Sequence, residues 1–273
     1  MVPIEAEDQD YLRQIAHLVH NAGRDADEAH GQTSPSLPVA EDLCHRCTAP
    51  KKPTYPTCYA CGHAYNQATQ WLRADSEIFL MFAIAGEQSG KIAHSYKGNE
   101  GHPQSAGSLD RMKLLAYFFV KYHSACLGKH LGQGITSVCT VPSGKGRSSH
   151  PLETDILQYF TPPLEHVGVR RTSDPHHASS RDKGISPDRY AVDADVSGRH
   201  ALIVEDTWVS GTQVRSVAAA LKKAGASNVS VLCLARFLNP SYSETCTWLE
   251  RTRDFLPPYD PAFCPVTRSM SCP

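Results

Sequence analysis

No apolar run in this sequence approaches the roughly 18 residues that a membrane-spanning helix needs. The N-terminal stretch MVPIEAEDQDYLRQ is acidic where a secretory signal would be basic. Both absences lead to the expectation of a cytoplasmic protein with no membrane partner. An excess of one charge is also missing: 27 basic residues face 28 acidic ones, for a formal charge of -1. That balance argues against a broad nucleic-acid surface and leaves room for a local basic patch. There is no internal repeat, and low complexity is confined to the polar linker NAGRDADEAHGQTSPSLP.

What is present is 273 residues, 41% hydrophobic and 20% charged, enough for one α/β domain and a small appendage. Four of the ten cysteines form two CxxC pairs, and six are scattered through a chain too large to need disulfide staples. This distribution predicts a metal site plus free thiols. In LCHRCTAPKKPTYPTCYACGH ten residues separate the pairs, a spacing that brings Cys44, Cys47, Cys58 and Cys61 together as two knuckles around Zn²⁺. Four protein ligands leave no open position, so the metal is expected to be structural. A thioredoxin-like role needs a single CxxC at a helix start. His45 and His63 are not needed as ligands. Lys51 and Lys52 are candidates for nucleic-acid contact, a solvated loop being the simpler reading.

Along the chain, Tyr11, Leu12, Ile15, Leu18 and Val19 share one helical face, which predicts an N-terminal docking helix. Residues 109–132 repeat Met112, Leu115, Phe119, Tyr122 and Cys126 at helical spacing and predict a long core helix. GITSVCTVP reads as a strand feeding the glycine-containing loop SGKGRSSHP; VGVRRT and RYAVDA read as shorter strands around a polar loop. Val214, Val217, Ala218 and Leu221 predict a helix ending near Gly225, and NVSVLCLARF the next strand. The C-terminal tail, which holds Trp248, Leu249 and Phe255, is expected to pack on the core. Strands alternating with helices predict a mostly parallel sheet with helices on both faces, in which ligands bind at the carboxyl ends of the strands.

One such end carries the most informative motif, ALIVEDTWVSGTQ, residues 201–213. An aliphatic strand runs into Glu205 and Asp206, then into Ser210, Gly211 and Thr212 at the start of a helix. Helix N-termini and nests of backbone N–H groups bind phosphate. Two carboxylates beside such a site suit a ligand with a phosphate and vicinal hydroxyls, and a sugar phosphate has both.

The EDTWVSGTQ run after its strand resembles the signature of type I phosphoribosyltransferases, which bind phosphoribosyl pyrophosphate (PRPP). The resemblance implies that Glu205 and Asp206 contact the ribose hydroxyls and that Thr207, Trp208, Val209, Ser210, Gly211, Thr212 and Gln213 hold the 5′-phosphate. It also implies a pyrophosphate loop after an earlier strand. VCTVPSGKGRSSHPL fits that place, with Ser143, Gly144, Lys145, Gly146 and Arg147 offering backbone donors and two cations to the leaving group. The polar loop 173–188, with His176, His177, Asp182 and Lys183, resembles a mobile hood, to which Arg171 and Arg181 would bring positive charge. Mg²⁺ would arrive with PRPP. Two positions depart from the family pattern: Gln213 stands where a small hydroxyl residue is usual, and Val209 where hypoxanthine-guanine enzymes have aspartate. Valine there resembles the glutamine-dependent amidophosphoribosyltransferases, but this sequence begins Met1-Val2 and carries neither their N-terminal cysteine nor their glutaminase domain.

A four-cysteine zinc ribbon ahead of such a domain is similar to the ComF family, the competence-associated proteins, over roughly residues 41–240. SYKG (95–98), VPSGKGR (141–147) and the spacing from Arg181 to Tyr190-Ala191-Val192 fall in the family's order. The departures are the N-terminal helix, SGKGRSSHP in place of an Arg-Gly-Phe-Asn run, and the C-terminal extension. The expected organisation is 1–40 N-terminal helix and linker, 41–66 zinc ribbon, 67–240 phosphoribosyltransferase-like domain, and 241–273 C-terminal extension. The expected activity is transfer of the phosphoribosyl group to an unidentified acceptor, with Glu205, Asp206, Lys145 and Arg147 as the catalytic set and a homodimer as a possible assembly. The alternative is a non-catalytic PRPP-binding protein whose ribbon binds DNA or a protein partner.

Overall fold

The computed structural model describes residues 3–24, 40–67, 69–98, 103–143, 150–161, 163–172 and 184–273. In chain order the helices are α1 (Gln9–Arg13), α2 (Tyr59–Gln67), α3 (Gln88–Ser95), α4 (Ala106–Leu131), α5 (Thr212–Lys223) and α6 (Ser243–Thr252). The strands are β1 (His20–Asn21), β2 (Ser76–Ile84), β3 (Ser137–Thr140), β4 (Glu165–His166), β5 (Val169–Arg171), β6 (Tyr190–Val192), β7 (His200–Trp208) and β8 (Asn228–Leu238).

Six strands form one sheet in the order β1-β2-β8-β7-β3-β4. All neighbours are parallel except β1 and β2. Side chains alternate across a strand, so each central strand feeds two cores. From β7, Ala201 and Ile203 join the layer containing Val217 and Leu221 of α5. Leu202 and Val204 join the layer containing Met112, Leu115 and Phe119 of α4. The helices therefore cover both faces, as the alternation of elements predicts. Each fully buried aliphatic side chain contributes about 1.5–3 kcal/mol, so the two layers are the main source of stability.

Helix α4 begins at Ser105, whose hydroxyl accepts from Ser108 N at 3.3 Å, and ends at Gly132 in the left-handed region. Strands β5 and β6 pair antiparallel outside the main sheet and bracket the polar loop. The cysteine unit packs on the α5 side: Leu43, Cys44, Cys47 and Cys61 share a buried cluster with Trp208 and Val217.

One expectation needs correction. The N-terminal helix is five residues, Gln9–Arg13, although Ile15 and Val19 are buried as their spacing predicts. Beyond it the chain turns into edge strand β1, and Tyr259 N donates to the carbonyls of Ala16 (3.2 Å) and Val19 (2.9 Å), which are then not free to extend a helix. In the C-terminal segment Trp248 and Leu249 are buried, but Phe255 is 48% exposed. It lies beyond α6 in a short 3-10 turn, off the face that α6 turns to the core. The linker from residue 25 to 39 lies outside the described residues.

Candidate functional site

Strand β7 is flanked on both sides by parallel neighbours, and its carboxyl end delivers Glu205 and Asp206 to the edge where parallel α/β sheets as a class bind ligands. Adjacent residues on a strand face opposite ways, so the two acids meet different surroundings. Asp206 accepts from Lys97 Nζ at 2.9 Å and from the Tyr96 hydroxyl, and His150 Nε2 stands 3.6 Å from the same Oδ2. Burial pushes its carboxyl upward; against that, the Lys97 charge, the hydroxyl of Tyr96 and His150 together hold it below the ordinary aspartate value. The Lys97 charge also reaches Glu205, but the opposing effects are larger. Burial first, and the neighbouring Asp206 charge second, push Glu205 well above the ordinary glutamate value. The two adjacent acids are thus shifted in opposite directions. Burial and the same Asp206 charge raise the Tyr96 phenol well above its usual value, so it serves as a donor.

Two buried polar atoms here have no hydrogen-bond partner among the described residues: Glu205 Oε2 and Thr207 Oγ1. Buried polar groups are rarely left unmade, because each costs about 1–3 kcal/mol. A ligand hydroxyl would satisfy them.

The loop after β7 is shaped by Trp208 and Gly211. The Trp208 ring is buried, edge-on to Phe79 at 5.0 Å and under the Arg215 guanidinium at 4.8 Å. Gly211 has φ 78°, and a Cβ there would fall 2.1 Å from the ring. Only glycine combines that backbone with that proximity. Gly211 leads into α5, whose first-turn N–H groups face the loop. Ser210 Oγ lies 3.2 Å from Thr212 Oγ1, so the two hydroxyls converge. Val209 is 59% exposed and Gln213 is also exposed.

Arg171, at the end of β5, donates to Gln213 Oε1 at 3.0 Å and to the Pro142 carbonyl at 3.5 Å, with its guanidinium 5.7 Å from the Tyr190 ring centre. One side chain therefore links the base of the polar loop, the start of α5 and the residue before Ser143. Gly144, Lys145, Gly146, Arg147 and Arg181 lie outside the described residues. The motif gave no role to Tyr96, Lys97 and His150. Tyr96 and Lys97 stand in SYKG, and His150 closes SGKGRSSH; each is remote in sequence from Asp206, and local pattern does not connect them.

Cys44, Cys47, Cys58 and Cys61 place their sulfurs within 4.8 Å of one another. A cysteine-bound Zn²⁺ at about 2.3 Å sets tetrahedral sulfurs about 3.8 Å apart, so the donor set fits such an ion. Cys44 N donates to Ala49 O at 2.8 Å, Thr48 N donates to Cys44 O at 2.9 Å, and Thr48 adopts φ 54°, closing the first knuckle. Cations surround the sulfurs. Arg215 Nη2 donates to Cys61 Sγ at 3.0 Å while the same guanidinium grips Glu77 at 2.8 and 2.9 Å. Arg236 Nη2 stands 3.8 Å from Cys47 Sγ, and its Nε donates to Cys47 O at 2.8 Å. Four thiolates around a divalent ion carry a net double negative charge, which Arg236 and the Glu77-paired Arg215 offset in part. The cluster could hold a metal such as zinc.

No family model matches the chain. It is 37% identical over 71 residues to proteins described as DNA utilization protein YhgH from Salmonella typhi and from Salmonella typhimurium. The match takes in 26% of this chain and 31% of each relative, so it spans about a third of their length. Among solved structures the chain is similar to two crystal forms of a hypoxanthine phosphoribosyltransferase from Staphylococcus aureus, at 14% and 16% identity. The superposition covers 44% of this chain and 63% of the other, with a TM-score of 0.29 in both cases.

Proposed function

We propose that the chain binds Mg-PRPP at the carboxyl end of β7 and transfers its phosphoribosyl group to an acceptor, releasing pyrophosphate. The observation that carries this reading is the pair of unsatisfied buried oxygens, Glu205 Oε2 and Thr207 Oγ1, beside an ionised Asp206 and a glycine loop at a helix start. Ribose hydroxyls would complete the acids. The 5′-phosphate would lie across Thr207–Gln213 against the N–H groups of α5. In its protonated form, which burial favours, Glu205 can donate to a ribose oxygen as well as accept from a hydroxyl, whereas an ionised Asp206 can only accept. Pyrophosphate would be met by Ser143 and the loop 144–147, and Arg171, bonded to Gln213 and to the Pro142 carbonyl, would add its charge. As pyrophosphate leaves, positive charge grows on C1 of the ribose. The protein supplies positioning and charge complementarity to that transition state. Mg²⁺ would be held chiefly by the substrate and water.

Calorimetric titration with Mg-PRPP, beside Asp206→Asn, tests the reading. Saturable binding lost in the variant supports it. A folded wild type that gives no heat with Mg-PRPP would remove it.

The second reading, a module that binds DNA or a protein through the cysteine unit, is favoured by a different observation. Tyr55 and Tyr59 are 60% and 85% exposed on that unit, Tyr59 stacks on His63 at 6.0 Å, and Lys51 and Lys52 lie alongside in sequence. Exposed aromatics interleaved with cations suit stacked bases of a single strand, and the YhgH relatives are described as DNA utilization proteins. Fluorescence anisotropy of a labelled single strand separates the two: salt-sensitive binding lost in Tyr59→Ala supports the module, and none at low salt removes it.

A further inference from the structure

The C-terminal segment brings Cys264 and Cys272 against the face of α4 that carries His123 and Cys126. Ligand atoms of these four residues lie within 4.8 Å of one another. Residues three apart on a helix share a face, so His123 and Cys126 form a two-ligand platform, and the segment supplies the other two. His123 Nδ1 is 3.7 Å from Cys126 Sγ and 3.6 Å from Cys272 Sγ. A tetrahedral zinc with sulfur at about 2.3 Å and nitrogen at about 2.0 Å requires a sulfur-to-nitrogen edge of about 3.5 Å, close to both distances.

The imidazole is oriented for this task. Its Nε2 lies 2.7 Å from the Pro261 carbonyl. A carbonyl only accepts, so Nε2 carries the proton and Nδ1 turns its lone pair toward the sulfurs. A histidine tied to a carbonyl through one nitrogen while the other faces the ion is the usual outer-shell arrangement of a metal ligand.

The backbone around Cys264 repeats the first knuckle. Cys264 N donates to Ser269 O at 2.8 Å and Arg268 N donates to Cys264 O at 2.8 Å, matching bond for bond Cys44 N to Ala49 O and Thr48 N to Cys44 O. Thr48 (φ 54°) and Arg268 (φ 56°) are the non-glycine residues at positive φ among the described residues, and each stands four residues after its cysteine. In the second turn Thr267 occupies the place that Cys47 has in the first, and Cys272 supplies the sulfur instead. Such strain in bulky residues clusters at functional sites.

We propose that His123, Cys126, Cys264 and Cys272 bind a second Zn²⁺ as a closed Cys3His site. Three thiols lose their protons to solvent and the neutral imidazole binds through Nδ1, leaving a single net negative charge on the complex. With four protein ligands, three of them buried, the ion is structural. It staples the C-terminal segment to α4. Through Arg268, whose guanidinium donates to the carbonyls of His45 (2.9 Å) and Arg46 (3.0 Å), it also braces the first knuckle.

The test is the zinc content of the full chain, purified from zinc-supplied cells and measured by plasma mass spectrometry, with Cys272→Ser, His123→Asn and Cys58→Ser alongside. The expected result is two zinc ions per wild-type chain and one in each variant. Loss of zinc in Cys272→Ser but not in Cys58→Ser would support this site alone. One zinc per wild-type chain, unaffected by Cys272→Ser and lost in Cys58→Ser, overturns the proposal. So do two zincs retained in Cys272→Ser, or an intact mass two hydrogens light that places a disulfide among Cys126, Cys264 and Cys272. Cobalt substitution of the wild type gives an answer that needs no variant: two spectrally distinct tetrahedral centres support the second site, and one sulfur-only centre overturns it.

Discussion

Lys97 Nζ stands 2.9 Å from Asp206 Oδ2, and this contact helps hold the carboxyl of Asp206 below its ordinary value. Glu205, one residue earlier on β7, is pushed the other way by burial and by the charge of Asp206, which outweigh the Lys97 charge.

Glu205→Gln is expected to stabilise the protein as pH rises. The folded carboxyl titrates well above its ordinary 4.5, so above that pH the unfolded chain ionises first and the native state loses ground. The loss is at most about 1.4 kcal/mol per pH unit, up to the folded pKa. Glutamine removes it. Thermal melts should show the variant above the wild type at pH 8, with the gap closing as pH falls toward 4.5; a pH-independent gap would mean that Glu205 titrates normally.

Asp206→Asn acts with the opposite sign. The folded pKa is depressed, so this acid contributes stability above its ordinary 3.8 that is lost as pH falls through the folded value. The variant should fold cooperatively, lose about 1–3 kcal/mol at neutral pH through the bonds from Lys97 and Tyr96, and bind Mg-PRPP at least about tenfold more weakly, a difference of about 1.4 kcal/mol. Equal affinity in a titration would separate Asp206 from the ligand.

Gly211→Ala should cost at least about 1–2 kcal/mol, the penalty of left-handed backbone for a residue with a Cβ. The displaced Trp208 ring adds to it. Urea unfolding measures the cost, and a shift in tryptophan emission in the folded variant would report the ring.

Arg215→Lys keeps the charge but cannot serve Glu77 and Cys61 at once. Chelator competition should show metal affinity of the four-cysteine cluster lowered about 10–100-fold, the usual effect of losing an outer-shell partner. Unchanged affinity would confine Arg215 to its ion pair with Glu77.

Much of the sheet is legible in the sequence because its elements keep a clean period. Val214, Val217, Ala218 and Leu221 mark one helical face, and β7 and β8 are flanked by turn residues. Strand β2 is harder, since IFLMFAI is apolar at every position and a buried strand of that kind has no period to read. The N-terminal pattern of Ile15 and Val19 marks burial correctly but not conformation, because Tyr259, some 240 residues away, takes the backbone bonds. At the site, the EDTWVSGTQ run announces itself, whereas Tyr96, Lys97 and His150 reach Asp206 only through the fold. His123 and Cys126 carry a faint local signal, two ligand types at helical spacing, which becomes meaningful only once Cys264 and Cys272 arrive beside them.

The sheet closes at both margins with strands of two residues, His20–Asn21 on one side and the exposed Glu165–His166 on the other. Few backbone groups are thus offered to a passing strand, and one margin is guarded by charge. Accretion of one copy onto another through continuous β-pairing is disfavoured, which protects solubility while the long parallel strands find their register. Strand addition onto β1 or β4 would gain few backbone hydrogen bonds.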